Sequence, residues 1–194
     1  MKKRRLVKPR KVVWVMRDFI NEIHNLTYEE TSIESIENEP IEQFFERLRN
    51  ASPHEEKAQV KLIAHKQFGV CVDDIDESEF RMFYNIEELW SWGSKQFSTD
   101  FFNRCSLGRG FATITITILH ELGHLHSQQN FENYDRETAI DNLIKNYSNA
   151  VINFEYFKLP DEKAATDWAI EWLNNAENRK IAKAFEKKFF SCFA

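Results

Sequence analysis

His120-Glu121-Leu122-Gly123-His124 sets two imidazoles four residues apart with a carboxylate directly behind the first. On a helix, positions i and i+4 lie on one face, a turn apart, so both rings can reach a single ion at roughly 2.0–2.1 Å. Glu121 follows His120 by ~100° around the axis, beside the ligand set and outside it. A carboxylate there can take a proton from a metal-activated water and return it to a leaving amine. With six His in 194 residues, chance yields this five-residue pattern about 0.02 times.

A catalytic zinc generally takes three protein ligands. The extended pattern HExxHxxGxxH would need Gly and His at the positions held by Ser127 and Asn130, so the third ligand must lie elsewhere. Leu159 to Ala169 is the best source. Glu162, Ala165, Ala169 and Leu173 share a helical stripe with Trp168 and Trp172 beside it. Glu162 therefore stands on an apolar face where a carboxylate needs a cation. Asp161 and an acid within 132–141 stay open as alternatives, and either of Asp161 and Glu162 would also suit a helix N-terminus. Thr166, one turn past Glu162, can hydrogen-bond the carboxylate or a ligating imidazole. His126 reads as a helix-end residue. Tyr134 and Tyr156 can donate to an oxyanion. His24, His54 and His65 have no metal-ligand spacing.

These residues resemble the ImmA/IrrE-type metallopeptidases, common in phages, mobile elements and bacterial stress loci. The family's second motif, ExEANxFAxxLL, corresponds to EKAATDWAIEWL from Glu162 to Leu173. Glu162, Ala165, Ala169 and Leu173 match, Trp168 supplies the aromatic and Thr166 replaces Asn, while Ala164 stands where a second Glu is usual. Upstream, Thr117 matches the family's RFTxA, and Thr115, Ile116 and Leu119 depart from it. The resemblance spans about 65 residues, Phe111 to Asn175. It implies a zinc metallopeptidase of the gluzincin type, with Zn2+ on His120, His124 and Glu162, cleaving a protein or peptide such as a transcriptional regulator.

The remaining chain must position these groups. Hydrophobic residues are 42% and charged residues 29%, with 17 Phe, five Trp, five Gly and four Pro. That is the composition of one globular domain with an aromatic core. The expected fold class is α+β, mainly helical and zincin-like, with a small β-sheet packed near the HExxH helix. Residues 12–25 read as a helix or as a strand running into a helix, and helices are expected from Pro40 to Arg49, from Ser52-Pro53 to about Phe68, and over 137–152, 160–175 and 178–190. Residues 29–39 read as a loop. Val70 to Val72, Glu79 to Tyr84 and Lys95 to Phe102 are the strand candidates. Thr113 to Ile118 alternates Thr and Ile, which favours a strand by propensity. The motif that follows requires a helix.

Seven of the 26 positive side chains fall in residues 1–11, leaving 19 against 31 acids, net −12, over the rest. The expected organisation is a flexible basic tail (1–11) and one metallopeptidase domain (12–194). An acidic body repels phosphate, so nucleic acid is expected at most through the tail. A DNA-binding regulator would also need a helix-turn-helix, which is not evident here. No apolar run reaches the ~20 residues of a membrane span. Cys71, Cys105 and Cys192 form no CxxC pair and read as free thiols in a reducing cytoplasm. The competing reading is a non-catalytic metal-binding regulatory protein. The intact Glu121 favours the peptidase, because a purely structural site needs no base.

Overall fold

The computed structural model describes residues 9–24, 31–35, 59–64, 70–76, 79–84, 110–126, 134–147 and 155–193, the strands among them as backbone. Among the described residues, five helices run in the order α1 (Pro9–His24), α2 (Thr113–His126), α3 (Arg136–Asn146), α4 (Pro160–Asn174) and α5 (Ala176–Ser191). Between α1 and α2 lie β1 (Thr31–Ser35), β2 (Gln59–Ala64), β3 (Val70–Asp76) and β4 (Glu79–Tyr84).

Helix α1 opens at Pro9, whose fixed φ and missing N–H suit a first turn. Pro9, Arg10 and Lys11 are thus helical, and residues 1–8 of the basic tail lie outside the described residues. Val12, Val13, Met16, Phe19 and Ile20 form its buried stripe. On the outer side Trp14 is 52% exposed, with the Arg17 guanidinium 4.2 Å from its ring centroid. Phe19 stacks on Phe185 of α5 at 4.2 Å and meets Trp172 of α4 edge-on at 6.2 Å. Helix α5 buries Ala182, Phe185, Glu186 and Phe189 and is capped by Asn175, whose side chain accepts from the Glu177 and Asn178 amides.

Helix α2 forms from the Thr–Ile alternation despite its β propensity. Ile114, Ile116, Ile118, Leu119 and Leu122 are all fully buried. Burial of these Ile and Leu side chains in the core offsets the small helix penalty of β-branching, while Thr113 and Thr117 share a less buried face. Its start is held from α5. The buried Glu186 carboxylate accepts from the Ala112 amide at 2.6 Å and the Thr115 hydroxyl at 2.9 Å. Lys183 pairs with Glu186 at 2.7 Å and donates to the Gly110 carbonyl. An acid at this end also complements the helix dipole.

The expected zincin-like fold, with a small sheet packed near the motif helix, is corrected here. The residues described with their side chains are 87% helical and none lies in a strand. Their apolar core is drawn from α1, α2, α4, α5 and the Phe111–Ala112 turn. The physical reason is small residues at a helix crossing. A Cβ built on Gly123 would stand 2.2 Å from the Ala165 carbonyl oxygen, so α2 and α4 meet backbone to backbone. Among the residues described with their side chains, these helices form the shelf of the motif.

The strand backbones pair in the order β1-β2-β4-β3, with β1, β2 and β4 parallel and β3 antiparallel to β4. Two local expectations change. The helix expected from Pro53 to Phe68 contains β2 instead, where Val60 and Leu62 alternate with Lys61 in period two. The loop expected over 29–39 contains β1. The helix from Pro40 to Arg49 and the strand from Lys95 to Phe102 lie outside the described residues. Helices α3, α4 and α5 fall within the ranges read from the sequence or extend them by one or two residues.

Candidate metal centre

His120 and His124 project from one face of α2, with ring centroids 4.9 Å apart. Glu162, in the first turn of α4 after Pro160, comes to meet them. Its Oε2 lies 3.0 Å from His120 Nε2 and 3.5 Å from His124 Nε2. The three donor atoms lie within 4.8 Å of one another. Ligands bonded to one tetrahedral ion at ~2.0–2.1 Å stand roughly 3.3 Å apart, so these residues fit a shared divalent ion with little movement.

The hydrogen-bond inventory supports a cation between them. Thr166 Oγ1 donates its proton to the Glu162 carbonyl at 2.8 Å. Towards His120 Nδ1, at 3.3 Å, it can then only accept, so Nδ1 carries the hydrogen. Nε2 is then the atom left to face Glu162 Oε2, either carrying a second proton or ligating an ion. Two acceptors at 3.0 Å require a proton or a metal ion between them. An Nδ1–H held by a hydroxyl is also the tautomer a metal-ligating imidazole needs.

Glu162 is 2% exposed. Burial alone would raise its carboxyl, but His124 and His120 outweigh that and hold it well below the usual carboxylate range. Its other oxygen, Oε1, accepts from Arg136 Nη2 at 3.0 Å. Arg136 opens α3, behind the N-cap Asp135, whose side chain accepts from the Thr138 amide. The guanidinium also reaches Asp161 Oδ2 at 3.0 Å and donates to the Tyr156 hydroxyl at 2.8 Å. Burial opposes the Arg136 charge, yet Tyr156, Asp161 and Glu162 around it push its pKa up. Tyr134 donates to Asp161 at 2.8 Å, and burial together with that bond raises its phenol. Burial, then the Glu162 charge, raises the Tyr156 phenol, and Glu121 contributes in the same direction. Glu121 is buried in α2 and raises the same hydroxyl as Glu162 does.

The structure thus brings His120, His124 and Glu162 together, and Glu121, next to His120 in α2, is buried. Of the alternative third ligands, Asp161 is engaged by Arg136 and Tyr134, and Asp135 caps α3. Asp167 pairs with Lys163 on the surface. Exposed His126 stacks on Trp168 at 4.6 Å. His24 ends α1, while His54 and His65 lie outside the described residues. Sequence reasoning missed Arg136. Its only local signal is the Asp135-x-x-Thr138 cap that fixes where α3 begins.

Comparison with known protein families, with curated proteins and with solved structures finds no match to this chain. Among the described residues, no helix is long and apolar enough to cross a membrane.

Proposed function

We propose that this chain is a zinc-dependent metallopeptidase of the ImmA/IrrE type. It would hydrolyse a peptide bond in a specific protein substrate, in a reducing cytoplasm. The convergence of two imidazole nitrogens and one carboxylate oxygen within 4.8 Å, with a buried glutamate next to His120 in sequence, carries this reading. Two nitrogens and one oxygen suit zinc among the common divalent ions.

His120, His124 and Glu162 would hold the ion and Thr166 would fix the His120 tautomer. A zinc ion bound there supplies Lewis acidity, acidifying water and polarising a substrate carbonyl. Glu121 then acts as general base, taking the proton of the attacking water and delivering it to the leaving amine. A purely structural site has no use for that second, non-ligating carboxylate.

The test is Glu121→Gln. The purified chain is incubated with a mixed peptide library and new N-termini are read by mass spectrometry. Parent protein should generate chelator-sensitive cleavage, and Glu121→Gln should keep zinc while losing it. Cleavage persisting in Glu121→Gln contradicts the assignment. Zinc binding without cleavage in the parent would instead support a non-catalytic metal-binding regulator.

A further inference from the structure

We infer that Arg136 is a positioning residue that restricts Glu162 to one ligand oxygen and so preserves an open coordination position. The inference rests on the metal centre proposed above. The two oxygens of Glu162 serve different partners: Oε2 faces both imidazoles, and Oε1 is held by Arg136 Nη2 at 3.0 Å. A carboxylate with both oxygens uncommitted can chelate a divalent ion. Chelation here would occupy the place a water and a substrate carbonyl must share. To chelate, Oε1 would have to leave a charge-assisted hydrogen bond inside a site where Glu162 is almost wholly buried.

The fork geometry of arginine makes the restraint rigid. Nη1 reaches Asp161 while Nη2 is shared between Glu162 and the Tyr156 hydroxyl. One guanidinium thus hydrogen-bonds Glu162 and pairs electrostatically with Asp161, consecutive carboxylates in the first turn of α4, and Tyr134 donates to the other oxygen of Asp161. The Asp135 cap fixes the backbone from which Arg136 projects. The arrangement constrains Glu162 in rotation as well as in position, which a point charge alone would not do.

Cobalt(II) reports coordination number directly, because its visible d–d bands are strong at four ligands and weaker at five or six. The probe is cobalt chloride added to the metal-free full chain. Parent protein should take up one cobalt with the intense four-coordinate spectrum. Arg136→Ala should also take up one cobalt, with band intensity at least twofold lower. Arg136→Lys, which restores a cation opposite Oε1, should return most of the parent intensity. If Arg136→Ala does not fold, Arg136→Met keeps the apolar stem and carries the same expectation. A spectrum in the alanine or methionine variant that superimposes on the parent overturns the inference while leaving the metal centre intact. A parent that takes up no cobalt overturns the metal centre, and this inference with it.

Discussion

Replacing Gly123 with alanine adds one methyl group at the tightest point of the molecule. The new Cβ would stand 2.2 Å from the Ala165 carbonyl oxygen and 2.8 Å from its carbonyl carbon and Cα. Carbon and oxygen ordinarily approach to roughly 3.3 Å, so α2 and α4 must part by about 1 Å. The obstacle is backbone on both sides, and no rotamer change relieves it. Overpacking of this kind costs about 1–3 kcal/mol, and a backbone obstacle puts it at the upper end. Helix propensity acts oppositely, favouring alanine over glycine by about 1 kcal/mol. The net expectation is a loss of about 2 kcal/mol, or ~4–8 °C in Tm for a chain of this size. The same displacement carries Glu162 away from His120 and His124, so zinc affinity should fall at least tenfold. Urea unfolding of the metal-free chain and a chelator competition measure the two effects separately. A variant that gains stability by about 1 kcal/mol and binds zinc as before would show that propensity dominates and that the helices do not meet there.

Other perturbations probe the supports. Glu186→Ala strands the Ala112 amide and the Thr115 hydroxyl in the core and should cost about 2–3 kcal/mol; Glu186→Gln keeps an acceptor and should cost less, both read by urea denaturation. Thr166→Val removes the acceptor for His120 Nδ1, so zinc affinity should drop by roughly 10–100-fold with little change in secondary structure. Asp135 is held below its usual carboxyl range, first by the Thr138 hydroxyl and then by the Thr138 amide. A group whose folded pKa is depressed stabilises above its unfolded value and stops doing so as pH falls through the folded one. Amide protection of Thr138 should therefore decline below about pH 4, and Asp135→Asn should remove that dependence.

The candidate metal site was legible because its residues follow short spacings. Two His at i and i+4 need only a helix to converge, and Glu162 betrays itself as an acid on an apolar stripe. Both follow from local periodicity. Arg136 was not legible, since its relation to Glu162 spans 26 residues and depends on how α3 returns to α4. Thr113 to Ile118 shows the limit of propensity. Its alternation fits a strand, yet burial of Ile114, Ile116 and Ile118 in the core accompanies a helix. That the described side-chain core beside the motif is helical, where a sheet was expected, has a related reason. Gly123 and Ala165 allow a helix crossing closer than apolar patterning alone reveals. The misassigned stretch around Gln59–Ala64 mixes apolar and polar residues in a run too short for either period to prevail.

Calorimetric titration of the metal-free chain with zinc addresses the heart of the account. The parent should show one site per chain, and Glu162→Ala should weaken it at least a hundredfold although that residue lies 38 positions beyond His124 in sequence. An unaltered isotherm in Glu162→Ala would contradict the ligand set on which the proposed chemistry depends.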